Sequence, residues 1–262
     1  MKYALLLLLL GLNLPLFGGQ TVPGRLYSEG LSNPDDCRKI VFERSEFTSC
    51  LATPGVHHIS MKIKGRDGIL YRGFPSLSAE SDIPTVAFAV NGGMYDTRSR
   101  PIGYYVEDRE KLHEINQQNG DGNFYLKPNG IFFGTDSDWR ILTSEAFDAE
   151  IDARPEFGTQ SGPMLVINGE VHAEFAADGQ SKYIRNAVGI DAQGGAHFVI
   201  SDQPVSFGKM ARMMRDKAGT PNALYLDGEV SALWNPAMGR MDGRYPLGPL
   251  ILVSRLGERN KP

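Results

Sequence analysis

The stretch Leu224-Tyr-Leu-Asp-Gly-Glu-Val-Ser231 decides how this chain is read. Ala223 to Leu226 is an apolar run of strand length, as expected of a strand covered on both faces. It ends on Asp227-Gly228, and the chain resumes as Glu229-Val230-Ser231. Two readings fit. Asp-Gly between apolar runs is a strong hairpin signal. An acid at the end of a buried strand, with a glycine instead of a bulky neighbour, is also a group that a cleft can expose.

The pattern of a buried strand ending on polar and glycine residues recurs upstream. Thr85-Val-Ala-Phe-Ala-Val90 is apolar throughout and stops at Asn91-Gly92-Gly93-Met94-Tyr95. Two glycines there permit positive φ and close approach of a ligand to the backbone, and a tight turn uses the same residues. The G-x-G-x-x-G spacing is absent and no Gly-Lys-Ser/Thr follows, so this is not a nucleotide loop. Gly158-Thr-Gln-Ser-Gly-Pro163 precedes another apolar run. Its spacing is not that of a nucleophile elbow, and Ser161 reads as part of a Ser-Gly-Pro turn feeding a strand. Arg185-Asn-Ala-Val-Gly-Ile190 and His197 to Ser201 pair across Gln193-Gly194-Gly195. That hairpin brings Arg185 and Asp202 to one end, either as a surface ion pair of little worth or as one wall of a cleft.

The rest of the chain is strand-rich. Thirty glycines and sixteen prolines in 262 residues imply many turns. Val56 to Lys64 alternates, with Ile59, Met61 and Ile63 on one face, and Arg66-Asp67-Gly68 turns it into Ile69 to Tyr71. His57 and His58 open this strand with no partner at metal-ligand spacing and read as rim residues. Further strands are expected at Lys39 to Phe42, Pro101 to Val106, Lys111 to Ile115, Phe124 to Leu126, Gly130 to Phe133, Trp139 to Thr143, Val171 to Phe175 and Pro249 to Val253. Two helices stand out. One runs from Glu145 to Ala153, capped by Ser144. The other runs from Phe207 to Ala218, capped by Ser206 and stopped by Gly219, with Phe207, Met210, Met213, Met214 and Ala218 as an apolar stripe that reads as core. The expected fold is a single mixed α/β (α+β) domain with a mixed β-sheet core and few helices.

The N-terminus carries its own signal. Met1-Lys2-Tyr3 leads into an apolar run from Ala4 to Phe17, followed by Gly18-Gly19. This is the pattern of a secretory signal over residues 1–19, and it is short for a membrane span. An uncleaved anchor is the other reading, since the cleavage site lacks a small-x-small pattern. Residues 20–54 read as a tether and 55–262 as the domain proper. Export places the chain in the periplasm or outside, where Cys37 and Cys50, the only cysteines, can bond. The net charge of -4 and the lack of a Lys/Arg run argue against nucleic acid as a partner. No membrane span is expected beyond the signal segment.

Four strand-end motifs line up in order: Asn91-Gly-Gly-Met-Tyr95, Gln160-Ser-Gly-Pro-Met-Leu-Val166, Arg185-Asn-Ala-Val-Gly189 and Leu226-Asp-Gly-Glu-Val-Ser231. Together, over roughly residues 55–255, they resemble the phosphodiester glycosidase family. The resemblance implies an exported hydrolase that cleaves a sugar-1-phosphodiester in an envelope or extracellular glycan. Asp227 would be the carboxylate that activates water or stabilises the sugar cation, with Asp202 or Glu229 as the second choice. Arg185 would fork the phosphate, and Asn91 would hold a sugar hydroxyl or water. Gly92, Gly93, Tyr95, Gly103, Asn129, Ser161, Gly162, Gly228 and Ser231 would line the substrate site, with Asp96 a more distant candidate. The residues require no cofactor, although acids beside a phosphate are a setting that admits a divalent cation. Relatives often carry a second glycine where this chain has Glu229. That departure keeps open a different class of function, a glycan- or envelope-binding module without turnover.

Overall fold

Strands β1 (Cys37–Phe42), β2 (Ser45–Ala52), β3 (His57–Lys62), β4 (Val86–Asn91), β5 (Tyr105–Glu107) and β6 (Glu110–His113) come first. β7 (Gly130–Gly134), β8 (Trp139–Thr143), β9 (Phe157–Ser161), β10 (Met164–Ile167) and β11 (Glu170–Val171) follow. β12 (Asn186–Ile190), β13 (Ala196–Ser201), β14 (Asn222–Tyr225), β15 (Leu233–Asn235), β16 (Arg240–Met241) and β17 (Leu250–Arg255) complete the series. The structure, a computed structural model, describes residues 36–80, 86–150 and 155–257. The signal-like segment and the chain up to residue 35 lie outside the described residues.

The strands form three sheets, and every named pairing is antiparallel. The seven-stranded sheet has the order β1-β2-β13-β12-β14-β10-β11. The two five-stranded sheets have the orders β16-β15-β4-β17-β3 and β6-β5-β9-β7-β8. Helices are few and short: α1 (Phe74–Ser78), α2 (Ser144–Glu150) and α3 (Phe207–Arg212). This is the strand-rich domain expected from the sequence.

Period-2 alternation assigns the two faces of the seven-stranded sheet. Val188, Phe198, Ile200, Leu224 and Leu226 join the main core, which includes Phe88, Phe132 and Ile251 from the other sheets. Ala187, Val199, Ala223 and Tyr225 face the opposite way and pack against Met210, Met213 and Met214. The Phe207 to Ala218 helix starts as expected, with Ser206 Oγ accepting from Lys209 N–H at 3.2 Å. It then widens to a π-turn over Met213–Lys217. The wider turn lets the adjacent Met213 and Met214 both bury against the sheet.

Several expectations are corrected. Residues 37–52 are not a tether, because β2 pairs with β13 along its length, Cys50 facing Phe198. The expected bond between Cys37 and Cys50 is present, across the β1–β2 hairpin. Phe124 to Leu126 is no strand: its first two residues belong to a 3-10 turn at Asn123–Tyr125, which Leu126 caps. The segment Ile69 to Tyr71 meets its neighbour at one bridge, Lys64 to Leu70. The cap of α2 is Thr143, whose Oγ1 accepts from Ala146 N–H at 3.1 Å, while Ser144 is buried and bonded to Gln160. Residues 151–154, the expected end of that helix, lie outside the described residues. His57 is buried, with Nδ1 accepting from Thr53 N–H at 3.0 Å. It closes a turn instead of standing on a rim.

The disulfide closes a loop of sequence separation 13. On chain-entropy grounds such a loop contributes about 3 kcal/mol. Reduction, or Cys37→Ser, should lower the free energy of unfolding by about 2–4 kcal/mol, read from denaturant midpoints with and without reductant. Equal midpoints would refute it.

Candidate active site

Three sheets meet where β4 ends. Asn91 is buried and makes three bonds there. Its Oδ1 accepts from Asn186 Nδ2 at 2.9 Å and from Ala232 N–H at 2.9 Å. Its Nδ2 donates to the Asp227 carbonyl at 2.8 Å. The side chain thus joins β4, the start of β12 and both ends of the 227–232 segment. Gly92 N–H donates to Pro249 O at 2.7 Å, and Gly92 O accepts from Asp227 N–H at 3.3 Å. Gly93 N–H donates to Thr159 Oγ1 on β9 at 3.1 Å. A Cβ on Gly93 would lie only 2.2 Å from the Gln160 carbonyl, so glycine is required by close approach.

These contacts change the expected roles. Asn91 Oδ1 and the Gly92 and Gly93 N–H groups are spent on the junction, so those two N–H groups are not free to cradle a phosphate. Gly103 likewise packs on Gln160, where a Cβ would lie 2.4 Å from Oε1. Asn129, Ser161 and Gly162 are buried together, with Asn129 Nδ2 donating to Phe124 O at 2.9 Å. Ser161 Oγ and Asn129 Oδ1 have no hydrogen-bond partner among the described residues. Asp96 is claimed by Arg100, with Oδ2 accepting at 2.6 and 2.8 Å, and these bonds hold its carboxyl down at about 2.

Arg185 and Asp202 do not share a cleft wall. Arg185 stands opposite Ser201 in the β12–β13 ladder, one position out of phase with Asp202. Alternation therefore sends the two side chains to opposite faces. Asp202 is held by Arg240 at 2.7 Å and Lys39 at 2.9 Å, and accepts from Thr48 Oγ1. Arg185 is 1% exposed. Its Nε donates to Val205 O at 2.9 Å, one terminal nitrogen to Tyr225 OH at 2.9 Å and the other to Ser181 O at 3.0 Å. The guanidinium lies 3.6 Å from the Phe207 ring centroid. A buried cation held only by neutral groups and an aromatic face is not a fork open to the cleft.

What the junction presents is the segment from Asp227 to Ser231. The chain leaves the seven-stranded sheet at Leu226 and re-enters a different sheet at β15, so Asp227-Gly228 is not a hairpin turn. Gly228 packs directly on the Tyr225 hydroxyl, 1.4 Å from where a Cβ would stand. Ser231 Oγ bonds Ile184 O at 3.1 Å and Asn186 Oδ1 at 3.2 Å, locking the far end. Asn186, to which the sequence reading gave no role, is thus central. Its signal was a polar side chain at a core-facing position of an apolar strand. Asp227 is half-buried, and its Oδ1 accepts from Glu229 N–H at 3.3 Å. Burial, aided by the Glu229 charge, pushes its carboxyl up to about 6.

Gly228, Glu229 and Ser231 line a cleft of about 820 Å³, together with Tyr95, Arg72 and Arg244. Tyr95 OH donates to Pro246 O at 2.6 Å, pinning the ring against the loop that ends at Gly248. That size suits a small saccharide with a substituent. Among the described residues, no group of three or more His, Cys, Asp or Glu side chains is placed to hold a metal ion.

A half-buried carboxylate without an ion pair among the described residues, next in the chain to a segment that lines a large cleft, is a candidate acid–base group of a hydrolase. The phosphodiester glycosidase family matches this chain over residues 84–243. The chain is 34% identical over 172 residues to the uncharacterized protein YigE of Escherichia coli (strain K12), covering 66% of this chain and 67% of that one. Among solved structures it resembles the catalytic domain of zebrafish N-acetylglucosamine-1-phosphodiester alpha-N-acetylglucosaminidase, auto-inhibited by pro-peptide. That likeness has a TM-score of 0.52 at 13% identity and covers 83% of this chain and 81% of that one. A protein of Burkholderia pseudomallei K96243 is similar with a TM-score of 0.51 at 12% identity, covering 80% and 74%. The two structural likenesses show the fold alone. The chain belongs to the phosphodiester glycosidase family.

The raised carboxyl has a thermodynamic consequence. An acid whose folded pKa exceeds its unfolded value makes the fold less stable as pH rises between the two. For Asp227 that window runs from 3.8 to about 6. Asp227→Asn should therefore be more stable than the parent by about 1–2 kcal/mol at pH 7.5, allowing for partial solvation. The difference should vanish below pH 4, as thermal melts across pH will test. Gly228→Ala should cost about 1–3 kcal/mol through the clash with Tyr225. An unchanged melt in that variant would disprove the close-approach argument.

Proposed function

We propose that this protein is an exported glycosidase that hydrolyses the bond between an anomeric carbon and a phosphodiester, with Asp227 as its base. One observation carries the reading: Asp227, half-buried at the head of the segment lining the cleft, has no salt bridge among the described residues, and burial raises its carboxyl to about 6. Family membership supports a sugar-phosphate substrate, and the zebrafish enzyme's name describes that chemistry. Periplasmic or extracellular location is supported by the signal-like N-terminus and by the disulfide.

In this reading Asp227 accepts a proton from water as the water oxygen bonds to the anomeric carbon. The carbon–oxygen bond to phosphate breaks, and its electron pair leaves on a phosphate monoester. That leaving group is stable as an anion, so a strong general acid is not needed. The proton held by Asp227 is then released to solvent. The Glu229 charge favours proton uptake by Asp227, and the Glu229 backbone N–H holds the Asp227 carboxylate.

The test is hydrolysis of a panel of sugar 1-phosphodiesters by the mature protein and by Asp227→Asn. The parent should turn over at least one member, and the variant should lose about 10²–10⁴-fold in kcat. The kcat/KM of the parent should fall below pH 6 as the carboxylate protonates. Parent and variant rates that agree would sink the assignment of Asp227. Retained binding of envelope glycan without turnover of any panel member would favour the binding-module reading.

A further inference from the structure

With Arg185 buried, the cleft needs another partner for an anionic substrate. The charged groups along the cleft sort by what already holds them. Asp96 is paired with Arg100, Asp242 with Arg240 at 2.8 Å, and Lys182 with Asp178 at 3.2 Å. Arg72 and Arg244 are different. Neither guanidinium has a carboxylate partner or a hydrogen bond among the described residues, and both line the cleft.

The two arginines stand on segments fixed to each other. Arg72 lies between the buried Tyr71 and Phe74, and its carbonyl accepts from Leu247 N–H at 3.1 Å. Its own φ is 52°, a left-handed conformation that a side chain seldom adopts without support from its surroundings. Pro246, next to Leu247, accepts the Tyr95 hydroxyl that also borders the cleft. Arg244 precedes this anchor by a few residues, and its guanidinium lies 5.4 Å from the Tyr245 ring centroid. The Arg72 backbone is held by Leu247 and the Arg244 guanidinium lies beside the Tyr245 ring, and neither charged end is taken by a carboxylate among the described residues. Glu229 lines the same cleft without an ion-pair partner among the described residues, and Asp227 stands beside it. Among the described residues the cleft therefore carries one carboxylate without an ion pair, Glu229, and two such guanidiniums, on the 72 and 244 segments.

We propose that Arg72 and Arg244 form the anion subsite of this cleft, taking the non-bridging oxygens of a phosphodiester or phosphate monoester. Guanidinium forks match those oxygens in geometry and charge. The inference rests on the glycosidase reading for its substrate class, but the anion subsite is testable without turnover. It also places on these two residues the phosphate-binding role expected of Arg185.

The probe is glycerol 3-phosphate, with glycerol as its neutral counterpart, titrated at low ionic strength and followed by NMR of the protein. The proteins are the parent, Arg72→Gln, Arg244→Gln, the double variant, and Arg215→Gln as a control on the helix side. The parent and the control should bind glycerol 3-phosphate and not glycerol. Each single variant should bind about tenfold more weakly, the loss of roughly one charge-assisted bond, and shifts should map to residues 72, 95 and 227–247. No binding by the parent, or equal binding by the double variant, would overturn the subsite. Catalysis separates the two claims. Loss of phosphodiester turnover only in Asp227→Asn, with KM unchanged in the arginine variants, would defeat the subsite and leave the hydrolase standing. Anion binding that maps to Arg72 and Arg244 in a protein without turnover would do the reverse.

Discussion

The carboxamide of Asn91 is the constraint on which the site depends. Its oxygen and nitrogen are both satisfied inside the protein, on β12, on Ala232 and on Asp227. Such a group is costly to bury unpaired and directional when paired. It therefore sets the position of two sheets and of the segment between β14 and β15 in a single stroke. Gly92 and Gly93 extend the same junction to β17 and β9 through their backbone bonds. The third sheet is tied to the junction by that Gly93 bond to Thr159, while within it Gln160 gathers the flanking loops, its Oε1 accepting from Tyr104 and Asn116 N–H and its Nε2 donating to Asn116 O and Ser144 Oγ. Three antiparallel sheets with separate hydrogen-bond ladders need cross-links of this kind, because ladders do not reach from one sheet to another.

Much of this was legible in the sequence. The apolar runs ending on polar and glycine residues marked the strand ends that converge, and β4, β12 and β14 fall where they were expected. The meaning of the polar residues was less legible. An asparagine at the end of a buried strand reads alike whether it faces a ligand or another strand. The choice is made by partners far along the chain, here Asn186 and Ala232. The arginine was misread for a related reason. Strand parity separates Arg185 from Asp202, but the helix that covers Arg185 with Phe207 is placed by the tertiary fold. Arg72 and Arg244 carry no local signal at all. Each sits in a loop whose position is fixed by contacts such as Leu247 N–H to Arg72 O.

The fate of each carboxylate then follows from its neighbours. Asp96, Asp191 and Asp216 are all held below the usual range, Asp96 and Asp216 mainly by arginine bonds and Asp191 by bonds to His197 and backbone N–H groups that outweigh its burial. Glu107 is raised by burial, but the Tyr105 hydroxyl donates to it at 2.8 Å and Lys62 stands near. Asp227 is raised and has no cation in contact among the described residues. A carboxylate locked in an ion pair is a poor proton acceptor, since taking the proton breaks the pair. The acid suited to proton transfer is the one from which the fold withholds its arginines.

Arg185 shows how that separation is kept. It lies within one tyrosine of Asp227, because its partner Tyr225 has its hydroxyl against Gly228, next in the chain. A guanidinium in direct contact with Asp227 would pull the carboxyl down, as Arg100 does for Asp96. Tyr225 stands between them and takes the Arg185 bond itself, and burial keeps its own hydroxyl up at about 12 and protonated. Gly228 is what lets the chain pass over that hydroxyl, so the Asp-Gly pair has a reason distinct from turn geometry. The glycine admits the tyrosine, the tyrosine holds the arginine at a distance, and the aspartate is left with a pKa near the pH at which a base is useful.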